Sequence, residues 1–248
     1  METVVFLDLD DTIFQTRPNC PPNTHLHPGA RDRGNAVVSY MTEKQRCFFE
    51  WLDTTTTLIP TTARNTDAFR RVELSFSHVA IVTFGAVILG PDGQPDTKWL
   101  NRVRPQLEET GRDVYRIYDA LGDYLAKSKS PVRIRTISDQ HIPCYVVLKP
   151  PPGRADYLDQ VEAECLSQLD LYQFRVYRNH VNISIVPKCI GKASAVRYVL
   201  EEYFTEQQVL TLGVGDSLSD LPFLRECDFL MMPRQSQLTQ HLAKDHSK

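Results

Sequence analysis

The sequence predicts an α/β fold: a Rossmann-like parallel-sheet core carrying an inserted α+β domain. Three observations predict it. The first is "VVFLDLDDTIF" at 4–14, an apolar run ending in acids, as a strand buried on both faces of a parallel sheet would read. The second is a return to alternating α and β patterns after about residue 190. The third is a middle region with the order αββαββ, one unit repeated, which reads as a small antiparallel sheet backed by two helices.

Taken in order, Val4–Leu9 is the first strand. The segment at 15–40 holds Pro, His and Arg without usable periodicity and reads as a long loop or flap, the kind that is usually functional or mobile in a compact domain. "TEKQ" at 42–45 matches a capping box, Thr42 with Gln45, opening a helix through Phe48, Phe49 and Leu52. "TTTTLIPTTARN" is a β-rich strand ending in Thr61, Thr62 and Arg64. A short helix near 66–74 leads to the strand pair "VAIVTFGAVILGPDG", with a turn at Pro91, Asp92 and Gly93.

The expected insert occupies 98–186. Pro105 suits a first helical position, and Val114, Ile117, Tyr118, Leu121 and Leu125 follow a helical stripe. Strands "VRIRTIS" and "CYVVLK" follow. After "PPG" at 151–153 comes a second helix with Leu158, Val161, Cys165 and Leu169 on one face, then strands "YQFRVYR" and "VNISIV". The core is expected to span 1–97 and 187–248. Its second part runs through a helix near 192–204, strand "QVLTLGVGD", a short helix near 218–225, strand "DFLMM" and a terminal helix.

Composition narrows the function classes. The 248 residues are 42% hydrophobic and 24% charged, with a net charge of −3, an ordinary globular balance with no sign of a nucleic-acid or membrane surface. The six cysteines are scattered without a CxxC pair, which argues against a zinc site or disulfide framework. Acids stand where a secretory leader needs bases. The longest apolar run, 79–89, is too short to span a bilayer as a helix. The expected setting is the cytoplasm; the sequence does not set an oligomeric state.

Asp8, Asp10 and Asp11 crowd within four positions. A strand running out into a polar turn explains acids there, yet like charges this close repel and are costly to bury. Ligands of open parallel sheets bind beyond the carboxyl ends of the strands, and four polar signals fall at such ends: Asp8 with Asp10, Thr62, Lys192 at a helix start, and Asp216 with Asp220. A carboxylate can attack phosphorus, and a second can protonate the leaving oxygen and then activate water. Clustered acids call for a cation, and oxygen ligation favours Mg2+. Asp216 and Asp220 share a helical face if that helix begins near Ser217, and Gly213 and Gly215 keep the approach open; Asp216 or Ser217 as a plain N-cap is the simpler alternative. Thr62 can donate to a phosphate oxygen, though β-propensity alone accounts for a Thr in that run. Lys192 follows Ile190-Gly191 and would favour an anion together with the helix N-terminus; Lys188 competes for that role.

"DLDDT", "TTAR", a lysine opening a late helix and "GDSLSD" resemble the four motifs of the haloacid dehalogenase-like (HAD) phosphatases. The αββαββ insert looks like the type IIB cap of the Cof-like, sucrose-phosphate and mannosyl-3-phosphoglycerate phosphatases. The resemblance implies Asp8 as nucleophile, Asp10 as general acid/base with its main-chain carbonyl on Mg2+, Thr62 and Lys192 as phosphate ligands, Asp216 as a metal ligand and Asp220 as its support. Asp11 stands where relatives more often carry Gly, and "TTAR" replaces Thr-Gly-Arg. The expected activity is Mg2+-dependent hydrolysis of a small phosphorylated metabolite, such as a sugar phosphate, through an aspartyl-phosphate. Its rivals are a phosphomutase of the same superfamily and a non-catalytic phosphate-binding module. Alternation on the insert's strands makes Arg133, Arg135 and Asn182 candidate substrate contacts, with a solvated sheet face as the alternative. Arg17, His25, His27, Arg31 and Arg33 of the flap could also reach a polyanion, a disordered loop being the alternative there.

Overall fold

The computed structural model describes residues 1–204 and 208–245; residues 205–207 and 246–248, which the expected core segment 187–248 includes, lie outside them. In chain order the strands and helices are β1 (Glu2–Leu7), β2 (Gln15–Thr16), β3 (Leu26–Arg31), β4 (Val37–Thr42), α1 (Glu43–Thr55), β5 (Thr57–Pro60), α2 (Thr66–Phe69), β6 (Ala80–Val82), β7 (Val87–Leu89) and α3 (Thr97–Lys127). They continue with β8 (Arg133–Asp139), β9 (Ile142–Lys149), α4 (Asp156–Glu164), β10 (Phe174–Arg178), β11 (Ile183–Pro187), α5 (Lys192–Tyr203), β12 (Val209–Val214), α6 (Leu221–Leu224), β13 (Phe229–Met231) and α7 (Gln237–Asp245).

The chain divides into two compact units, Met1–Trp99 with Gly191–Lys248, and Leu100–Ile190. The first is built on a parallel sheet in the order β13-β12-β1-β5. Val4, Val5, Phe6 and Leu7 are all buried because β1 is interior to this sheet. Pro60, which has no N–H to give a ladder, falls on the edge strand β5. Phe49 and Leu52 of α1 join Val5, Leu7, Leu9, Ile13, Phe14 and Leu58 in one core. The Thr42 hydroxyl accepts from Gln45 N while the Gln45 side chain accepts from Thr42 N, a complete capping box. Helix α1 runs further than the sequence implied, taking in Thr54 and Thr55, whose hydroxyls donate to the main-chain carbonyls of Glu50 and Trp51.

The segment at 15–40 is not a loop. Together with Met41 and Thr42 it forms a three-stranded antiparallel sheet, β2-β4-β3. Its pairing shifts register on either side of Ala30, and such a bulge breaks the two-residue alternation by which a strand is read. Ala30, Ser39 and Met41 are buried, and Gly29 lies so close to Phe14 that an added Cβ would come within 2.7 Å of it.

The second unit is an antiparallel sheet in the order β10-β11-β9-β8. Ile134, Val146, Leu148, Ile183, Ile185 and Phe174 pack against Val114, Ile117, Leu121 and Leu125 of α3 and Leu158 and Val161 of α4. Pro105 does not open α3. It lies inside that helix, because Asp96 caps earlier, its carboxylate accepting from Trp99 N at 2.9 Å. Among the described residues no helix is long and apolar enough to cross a membrane.

Candidate active site

Asp8 follows β1 directly, its N–H donating to Val214 O at 2.9 Å, so the end of β12 holds it beside Asp216. Lys192, the first residue of α5, reaches both carboxylates nearest it. Its Nζ donates to Asp8 Oδ1 and to Asp220 Oδ1, each at 2.6 Å, and its side chain is almost fully buried. Lys188 instead lies exposed, its ammonium 4.9 Å from the Tyr172 ring centroid.

One carboxylate oxygen from each of Asp8, Asp216 and Asp220 lies within 4.8 Å of the others. Burial, then the Asp220 charge, pushes the Asp8 carboxyl up to about 7 against the pull of Lys192. Burial, then the charges of Asp8 and Asp220, takes Asp216 to about 9. Burial works against the Lys192 ammonium, but Asp220 and Asp8 overcome it and hold its pKa above the ordinary lysine value. Three carboxylates around one ammonium leave the cluster short of positive charge.

Thr12 bridges two of these carboxylates. Its hydroxyl stands 3.1 Å from Asp8 Oδ2 and 3.4 Å from Asp216 Oδ1, and with one proton it satisfies only one of them at a time. Both oxygens therefore turn to the Thr12 hydroxyl, and the cluster of Asp8, Asp216 and Asp220 is an all-oxygen donor set of a kind that suits a hard divalent cation such as Mg2+. Asp220 is already occupied: Oδ1 takes Lys192, and Oδ2 accepts from Ser217 Oγ at 2.8 Å, Ser217 N at 3.0 Å and Asp216 N at 3.2 Å. Asp216 and Asp220 do not share a helix face, since α6 begins only at Leu221; a turn joins them. Gly215 is required by that turn, because an added Cβ would sit 2.8 Å from the Asp220 Cβ. Gly213 likewise serves packing, leaving room for Leu224 and Cys227.

Asp10 is exposed and turned to a different partner, Arg64, whose Nε and Nη2 donate to its two oxygens at 2.7 Å each. Asp11 takes the left-handed conformation at φ 62°, which Gly adopts most easily and Asp tolerates. Thr62 is buried one residue beyond Thr61, whose N–H donates to Leu7 O at 2.7 Å; the Thr62 hydroxyl accepts from Arg64 N at 3.1 Å. The loop Thr83–Gly85 holds this stretch, with Thr83 N donating to Arg64 O and Phe84 N to Thr62 O. All three of its residues have positive φ, a conformation that is costly for a β-branched residue and persists where surrounding contacts enforce it. Thr12, Arg64 and Ser217 lie inside "DLDDT", "TTAR" and "GDSLSD". The Thr12–Asp8 and Ser217–Asp220 pairs are local, whereas Thr12–Asp216 and Arg64–Asp10 span the chain and no local spacing marks them.

In the second unit Arg133 and Arg135 are exposed on β8, alternating with Ile134, which packs on the helices. Asn182 precedes β11, its N–H donating to Asn179 Oδ1 at 2.8 Å and its own Oδ1 accepting from Ser184 Oγ.

A parallel sheet with carboxylates at the ends of its central strands, a lysine opening the helix that leads into β12 and an inserted antiparallel unit define the haloacid dehalogenase-like fold, and the chain has that fold. It is similar to the sucrose-phosphatase of Synechocystis sp. PCC6803, solved with sucrose and phosphate, at 17% identity and TM-score 0.55 over 99% of this chain and 88% of that one. It is also similar to the trehalose-6-phosphate phosphatase C-terminal domain of C. albicans, at 14% identity and TM-score 0.58 over 90% and 72%. A haloacid dehalogenase-like hydrolase of B. subtilis matches at 12% identity and TM-score 0.51 over 94% and 95%. No family model and no curated protein matches the sequence.

Proposed function

We propose that the protein is a Mg2+-dependent phosphatase that hydrolyses a small phosphate monoester through an aspartyl-phosphate on Asp8. The observation that carries the proposal is the buried Asp8–Lys192–Asp220 chain beside Asp216. Such a chain gives a nucleophile, a fixed positive charge and a cation site at one strand end.

Lys192 ties down Asp8 Oδ1, which orients the carboxylate and adds positive charge where a phosphoryl group would gain negative charge. Asp8 and Asp216, with the main-chain carbonyl of Asp10, would hold the ion. Bound there, Mg2+ neutralises phosphoryl oxygens and lets a carboxylate approach them. Asp10 turns one oxygen, protonated, from Arg64 to the substrate while the other stays on the guanidinium. Asp8 attacks phosphorus as Asp10 gives that proton to the leaving oxygen; Asp10 then takes a proton from the water that splits the acyl phosphate. Thr62 and Lys192 bind the phosphoryl oxygens, and Asp220 keeps Lys192 and the Asp216 turn in place.

The solved relatives named for sucrose-phosphate and trehalose-6-phosphate support a sugar phosphate as the substrate class. The second unit is read as a type IIB cap, with Arg133, Arg135 and Asn182 as its contacts to the alcohol part. The deciding experiment is a panel of phosphorylated metabolites assayed for inorganic phosphate with Mg2+ and with a chelator. Release from a sugar phosphate that stops in the chelator is expected. Transfer to a sugar acceptor without release, or turnover in metal-free buffer, would overturn the proposal.

A further inference from the structure

The segment at 15–40 supplies an observation that the phosphatase reading does not use. In the paired strands β3 and β4, Leu26 lies opposite Thr42 and His27 opposite Met41. Continuing that register one step brings His25 opposite Glu43, the first residue of α1. Two histidines two residues apart on extended backbone project to one side, and here their rings meet edge to face with centroids 4.6 Å apart. His27 Nε2 and Glu43 Oε2 stand 2.7 Å apart. One donor atom from each of His25, His27 and Glu43 lies within 4.8 Å of the other two.

We propose that His25, His27 and Glu43 form a second metal site, for a zinc-class divalent transition ion, separate from the aspartate cluster. Two imidazoles and one carboxylate are a zinc donor set that leaves a fourth position for water, whereas Mg2+ prefers oxygen alone. Donors around tetrahedral zinc stand about 3.4 Å apart, so closing the site takes movements on the order of 1 Å. These side chains are exposed or half-buried and have room for them. The ion takes the place of the proton that bridges His27 and Glu43. Arg46 also holds Glu43, and next His27 does; together they keep its carboxyl near 2, ionised and ready as a ligand. Arg46 has Glu50 as a second partner and can stay paired there when Glu43 turns to the ion. The ion would tie the edge strand β3 to the N-terminus of α1.

The test is equilibrium dialysis of the full chain against Zn2+ in excess Mg2+, which keeps the aspartate site filled, with bound metal counted by mass spectrometry. One Zn2+ per chain is expected, retained by Asp216→Asn and weakened at least about tenfold by His25→Ala and by Glu43→Gln. His25 is exposed, so its replacement leaves the fold intact by circular dichroism. No zinc uptake, or unchanged affinity in the His25→Ala/His27→Ala double variant, would overturn the site. Neither result bears on phosphate release, so the two readings fail separately.

Discussion

Arg64 grips Asp10 with both arms of its guanidinium, Nε on Oδ2 and Nη2 on Oδ1, each at 2.7 Å. A lysine cannot reproduce this planar two-point fit. The same Arg64 has its N–H on the Thr62 hydroxyl and its carbonyl on Thr83. It therefore links the proposed proton donor to the proposed phosphate ligand and to the left-handed Thr83–Gly85 loop.

Arg64→Lys is accordingly expected to lower kcat by about ten- to a hundredfold with a smaller change in KM, the signature of a lost positioning contact. Steady-state phosphate release measures both constants. A variant with wild-type kcat would show that Asp10 needs no such orientation.

Asp8→Asn is expected to abolish phosphate release, by at least about a thousandfold, while the protein stays folded. The amide keeps the shape but is no nucleophile. Lys192 retains Asp220 as its counter-charge, and one carboxylate fewer eases the crowding around Asp216. A melting temperature equal to or above wild type, together with lost turnover, is the predicted pair of results. Full turnover would remove Asp8 from the mechanism.

What the sequence disclosed and what it hid follow from how far each interaction reaches along the chain. The unbroken apolar run of β1 and the Thr42–Gln45 capping box are local patterns and were readable. Helix α3 starts earlier than Pro105 suggests because Asp96 supplies a cap nine residues before it, and a helix tolerates that proline once tertiary packing supports it. Strand β3 is hidden in the sequence because its bulge scrambles the alternation. In the site, the residue types were legible but their partners were not. Lys192 meets Asp8 across 184 positions, Thr12 meets Asp216 across 204 and Arg64 meets Asp10 across 54. No spacing rule covers such distances; the parallel sheet brings them together.

Lys192→Met tests how much the buried ammonium stabilises the protein. It is the nearest positive charge to two buried carboxylates, and removing one partner of a buried ionic cluster typically costs about 3–5 kcal/mol. Urea unfolding at neutral pH should show a loss of that order. A smaller loss at pH 5 is expected, because Asp8, partly ionised at neutral pH, is protonated there and no longer needs the ammonium as fully. Asp216 holds its proton at both values. Equal losses at the two pH values would mean that Asp8 does not change charge between them.

The same cluster sets how stability changes with pH and with metal. In the folded protein Asp8 and Asp216 titrate at about 7 and about 9, against 3.8 for an ordinary aspartate. Between those values the folded state holds protons that the unfolded chain has released, so stability falls as pH rises. The contribution is complete below about pH 3.8; it is lost through pH 7 for Asp8 and through pH 9 for Asp216. A divalent cation reverses the trend, since it binds the deprotonated oxygens and compensates their repulsion. It also competes with protons for them, so it stabilises most where they are absent. In a chelator the melting temperature should therefore decline from pH 6 to pH 9, and the rise produced by Mg2+ should be larger at pH 8.5 than at pH 6. Asp216→Asn should flatten both trends by removing the carboxyl with the largest shift. Scanning calorimetry of the two proteins at the two pH values, with Mg2+ and with chelator, makes the comparison. A Mg2+ effect independent of pH, or one undiminished in Asp216→Asn, would place the ion away from Asp8 and Asp216.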